Sequence, residues 1–106
     1  MKPYHIDFYK VLGISNTATN KQIQEGYQHA VSHYQSLKTI DTKITIRFFD
    51  QVMKILISAR HTLMLTEIKT PYLLAYAKNH GGLLPQGITS NGNTYERELY
   101  LQQLID

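Results

Sequence analysis

Cysteine does not occur anywhere in this 106-residue chain. Its absence excludes a disulfide framework and a thiolate metal site, so stability must come from packing. The same absence fits a reducing compartment. Long apolar runs are missing as well. The greasiest stretches, such as Ile55-Leu56-Ile57, are interrupted within a turn, and a bilayer span needs ~20 such residues. The opening Met1-Lys2-Pro3-Tyr4-His5 lacks the basic-then-apolar form of a signal peptide. Clustered charge is the third lack. The net charge is only +3, and lysines and arginines are scattered without the run that marks a nucleic-acid arm. These absences point to a soluble chain without a membrane span, expected in the cytoplasm, and argue against nucleic acid as its partner.

What is present is ordinary for a small globular unit. A hydrophobic share of 42% with 18% charged residues is too apolar for disorder and enough for one modest core. The apolar residues recur at helical spacing along most of the chain, which predicts an all-α fold. Phe8, Val11 and Leu12 form a short helix over Asp7 to Leu12, stopped by Gly13. Thr19 and Gln22 have the spacing of a capping box ahead of a long helix carrying Ile23, Tyr27, Ala30 and Tyr34 on one stripe. Gly26 lies inside that helix, a cost of about 1 kcal/mol relative to Ala that close approach of a facing helix would explain.

Gln35 to Asp41 breaks the stripe and reads as a loop. A second long helix then runs from about Thr42 to Met64, with Phe49, Val52, Met53, Leu56, Ala59 and Leu63 on one face. Two long helices joined by a short loop must lie antiparallel. A further helix over Glu67 to Asn79 is stopped by Gly81-Gly82, with Pro71 in its first turn or slightly later, where a missing N–H is best tolerated. Gly82 to Thr94 reads as a Gly/Asn linker with Asn91-Gly92 as a turn signal. Thr94 then reads as the cap of a short C-terminal helix rich in Leu99, Tyr100, Leu101, Leu104 and Ile105. The expected organisation is a helical domain over 1–81 and a linker with its helix over 82–106.

Residues in the first three quarters of the chain resemble a known family. Asp7-Phe8-Tyr9-Lys10-Val11-Leu12-Gly13-Ile14 resembles Asp-Tyr-Tyr-x-x-Leu-Gly-Val, the opening of the DnaJ-type J-domain. Ala18-Thr19, Ile23, Tyr27 and Tyr34 resemble its second helix, and Ala59, Leu63, Glu67 and Tyr72 the end of its third helix and the start of its fourth. The resemblance implies a J-domain-like fold, two long antiparallel helices flanked by short ones. It also implies where the chain departs. The family carries His-Pro-Asp, which makes a DnaK-type chaperone hydrolyse ATP, where this chain has Gln35-Ser36-Leu37 between Tyr34 and Lys38. The family's Ser-Asp-Pro is Met64-Leu65-Thr66 here, and its outward basic residues on the second helix are Gln28, His29 and His33.

Scaffold without trigger implies a non-catalytic interaction, regulatory or adaptor module that does not stimulate a DnaK-type ATPase. Its partner would be another protein, a J-protein or a subunit of a larger assembly. The contact residues expected are Gln35, Ser36, Leu37, Lys38 and Ile40 in the loop and Leu99, Tyr100 and Leu104 in the last helix. Two other readings stay open: an active or atypical J-domain co-chaperone, and a nucleic-acid-binding helical domain using Lys38, Lys43, Arg47 and Lys54. No nucleophile-elbow, P-loop, zinc-protease or dinucleotide pattern occurs, so neither a catalytic residue nor a cofactor is expected. His29 and His33 share a helix face, but with no third ligand nearby they read as a solvated pair.

Overall fold

The computed structural model describes residues 5–40, 46–88 and 94–105. Asp7 opens the first helix from outside it. Its backbone is extended (φ −80°, ψ 94°), and Oδ1 accepts from the Lys10 N–H at 3.1 Å, capping α1 (Phe8–Val11). Gly13 then turns the chain at φ +69°, a left-handed conformation that costs glycine little. Thr19 and Gln22 form the capping box, the Thr19 N–H donating to Gln22 Oε1 at 2.9 Å and the Gln22 N–H to Thr19 Oγ1 at 3.3 Å.

From that cap α2 (Asn20–Ile40) runs without interruption. The predicted break at Gln35 is not there. Gln, Leu and Lys are good helix formers, no Pro or Gly intervenes, and Leu37 continues the Tyr34 stripe onto the core. α3 (Ile46–Met64) follows; the start expected at Thr42 lies outside the described residues. Arg60, late in α3, reaches Gln24 and lies 4.6 Å from the centre of the Tyr27 ring, both early in α2. Since the end of α2 and the start of α3 are close in sequence, the pair is antiparallel.

α4 (Thr66–Asn79) carries Pro71 in its second turn, and its end is closed by the Gly82 N–H donating to the Ala77 carbonyl at 2.8 Å, with Gly81 and Gly82 at positive φ. α5 (Thr94–Ile105) takes in Thr94 as its first helical residue, where the sequence suggests a cap. All regular structure among the described residues is α-helical, apart from one isolated antiparallel bridge between Ser15 and Gly87.

One core serves all five helices. Phe8, Val11 and Leu12 of the N-terminal segment meet Ile23, Ala30 and Tyr34 of α2, Val52, Leu56, Ala59 and Leu63 of α3, Tyr72 of α4 and Leu101 of α5. Most of these are the stripes that the spacing predicts. Tyr27, Phe49 and Met53 line the core half-buried.

Two further expectations change. A Cβ on Gly26 would sit 2.7 Å from Ile14 Cγ2 and 2.9 Å from the Leu12 carbonyl oxygen, so the α1–α2 connection, and not a facing helix, requires the glycine. The Gly/Asn linker is tied down over its described part. Asp7 Oδ2 accepts from the N–H groups of Gln86 (3.0 Å) and Gly87 (2.9 Å), the Ile88 N–H donates to the Ile14 carbonyl, and Asn16 Nδ2 donates to the Pro85 carbonyl. Residues 89–93, including the Asn91-Gly92 turn, lie outside the described residues.

Candidate interaction site

The expected contact residues fall on two elements, the last turns of α2 and the C-terminal helix. On α2, Gln35 and Ser36 are exposed, while Leu37 is half-buried against the core. Lys38 and Ile40 are helical in backbone; their side chains lie outside the described residues. Gln35, Ser36 and Leu37 therefore belong to a regular helix, two of them turned to solvent and Leu37 to the core. Leu37 packs against the core and so covers part of the helix pair.

α5 docks on its own chain, against α1 and α3. Leu101 is wholly buried and Leu104 half-buried, so their apolar surface is used within the molecule. The Tyr100 hydroxyl accepts from the Asp7 N–H at 2.8 Å, and the Lys10 Nζ lies 5.2 Å from the centre of its ring. Burial pushes the Tyr100 hydroxyl above its ordinary range, with the bond from the Asp7 N–H opposing that shift. Leu99 alone of the three expected residues is open, at 42% exposure.

A polar junction that the spacing does not announce joins α2 to α5. His33 Nε2 lies 2.5 Å from Glu98 Oε1, off the line of the ring N–H, an ion-pair contact whenever the imidazole is charged. Beside it Tyr34 and Arg97 are buried. Burial pushes the Tyr34 hydroxyl up to about 12; the Arg97 charge pulls it back and Glu98 raises it further. Desolvation lowers the Arg97 pKa, against the pull of Tyr34 and Glu98. Gly13 leaves room for the Arg97 stem, since a Cβ there would meet Arg97 Cδ at 3.3 Å. His33 is thus no member of a solvated pair. The sequence signal that could have found the junction is weak: a cation in the first turn of a helix, where the dipole disfavours it, asks for a local reason.

Other functional chemistry is sparse on the described surface. A shallow open depression on α2 is lined by Glu25, Gln28, His29 and Ser32, spaced so that they share one helix face. No hydrogen bond connects its carboxylate, imidazole and hydroxyl among the described residues. No group of three metal-ligating side chains converges among the described residues. No described helix is long and apolar enough to cross a membrane.

Around α4, aromatic rings form a ladder. Phe8 lies against Tyr72 (4.9 Å between centroids), Tyr72 against Tyr76 (6.1 Å), and Tyr76 stacks on His80 (3.8 Å, 7° between planes). The Tyr72 hydroxyl donates to the Ile6 carbonyl and accepts from the Phe8 N–H at 3.0 Å, so its role is to hold the N-terminal segment. No family model fits this chain, and no curated protein or solved structure matches it significantly.

Proposed function

We propose that this chain is a non-catalytic, J-domain-like interaction module, an adaptor or regulator of another protein, that does not stimulate a DnaK-type ATPase. The observation that carries this reading is the continuity of α2 through Gln35-Ser36-Leu37. A J-domain presents its tripeptide from a loop. Here that position is helix with neither the residues nor the backbone to present them. The opening motif from Asp7 to Ile14 and the antiparallel α2–α3 pair support the J-like half of the reading. The partner-facing half rests on exposed large apolar side chains, among them Ile57, Leu74, Leu83, Leu84 and Leu99.

Single-turnover ATP hydrolysis by a DnaK-type chaperone, with and without the full chain, tests the first half. We expect no acceleration; acceleration would restore the co-chaperone reading. Capture of partners from the native source with the full chain tests the second. Truncation at Gly82 is no clean control, because it removes Leu101 from the core and Gln86 and Gly87 from Asp7.

A further inference from the structure

The solvent face of α3 repeats. Val52, Leu56, Ala59 and Leu63 turn inward and are fully buried, while Arg47, Lys54 and His61 recur at seven-residue steps on the opposite, exposed side. Between them, at the alternate positions of the same heptad, stand Asp50, Ile57 and Ser58, all exposed, and Leu65 follows just beyond the helix. Ile57 is 47% and Leu65 42% exposed. No hydrogen bond or ion pair engages Arg47, Lys54 or His61 among the described residues. Asp50 is the one acidic residue of α3, and the remaining cation, Arg60, is turned away to Gln24 and Tyr27.

A solvated helix needs no period on its outer side. This one places a basic side chain every two turns, about 10.5 Å apart along the axis, with an aliphatic side chain between the second and the third. That is the ridge of a helix suited to helix-against-helix packing, with basic side chains where a hydrophobic seam would stand. A nucleic-acid strand offers charge far more densely than Arg47 and Lys54 at this separation can answer. A second copy of α3 would bring like charges together.

We propose that the Arg47–Lys54–His61 ridge of α3 docks an acidic amphipathic helix of a partner protein, whose carboxylates repeat every seven residues and whose apolar side chain covers Ile57. This rests on the interaction-module reading. Charge complementarity sets the register and the partner, and Ile57 supplies the buried centre.

The test uses the full chain in an extract of its native source, with a carbodiimide that joins lysine amines to carboxylates in contact. We expect Lys54 to be joined to an Asp or Glu in a partner segment with acids at seven-residue steps. That segment, synthesised and titrated, should bind the native chain and bind an Arg47→Glu/Lys54→Glu variant roughly tenfold more weakly or worse. Both side chains are exposed, so the variant should keep the native melting midpoint. The inference falls if a captured protein is joined only through other lysines, if the charge-reversed chain binds the segment equally well, or if the retained material is nucleic acid released by nuclease. In the first two cases the module reading survives. If neither chain retains any protein, that reading falls as well.

Discussion

Asp7 shows how much one side chain can hold. It is 4% exposed, and its two oxygens accept three backbone N–H groups, from Lys10, Gln86 and Gly87, while its own N–H goes to Tyr100. Charged acceptors make the stronger hydrogen bonds, and an N-cap alone is worth about 1 kcal/mol. Asp7→Ala should therefore cost about 3 kcal/mol, read as a lower urea midpoint with an unchanged slope. Gly87 is equally constrained. It sits at φ +71°, and a Cβ there would overlap the Ile14 carbonyl oxygen; Gly87→Ala should lower the midpoint, whereas Gly81→Ala meets no neighbour and pays only for its own φ of +64°. At high pH the tyrosines decide. The Tyr34 and Tyr76 hydroxyls are raised by burial from 10.0 to about 12. The unfolded chain thus loses its phenol protons first. That contribution to stability is complete below pH 10 and is lost as the pH climbs through about 12. A melting series across that range, with Tyr34→Phe as the comparison, should show a steeper alkaline decline in the native chain.

At the scale of elements, most of the helices were legible and most of the joints were not. Capping chemistry and stripe periodicity are local, so Thr19 with Gln22 and the Ile23–Ala30–Tyr34 stripe could be read directly. The interruption at Gln35 rests on the break in the apolar stripe over Gln35 to Asp41. Helix propensity and the burial of Leu37 overrode it. At Gly26 the sequence signals a close approach but not the neighbour, because a connection folding back on a helix leaves no period. Residue Ser36 separates the two accounts of this segment. In a loop a proline is tolerated; inside α2 it removes a hydrogen bond and collides with the preceding turn, costing about 3 kcal/mol. Ser36→Pro should reduce far-ultraviolet helicity and the melting temperature together, and an unchanged melt would return residues 35–37 to a loop.

For the molecule as a whole, α5 belongs to the same core as α1 to α4. Leu101 touches the cluster that also holds Val11, Leu56 and Leu63. Leu101→Ala should cost about 2–5 kcal/mol and lower one cooperative transition seen alike by tyrosine fluorescence and helical circular dichroism. A separate early loss of α5 would show instead that it is an appendage. Leu99→Ala, on the open side of the same helix, should stay within about 0.5 kcal/mol of the native chain. The sequence could not decide between docking in cis and docking on a partner, because a greasy helix satisfies either. What decides it is the pairing of His33 with Glu98 and of Asp7 with Tyr100, residues far apart in the chain with no periodic signature.

That last pairing bears on how the protein is made. The N–H of Asp7 meets the Tyr100 hydroxyl across 93 positions of sequence, and the Asp7 carboxylate meets Gly87 across 80. On the ribosome the antiparallel α2–α3 pair can form while the rest is still being translated. The short first helix gains its last ties only after residues 86–100 have been translated. Until then the side of α1 that meets α5 is uncovered, and a nascent chain in that state is a natural client for the cell's general chaperones.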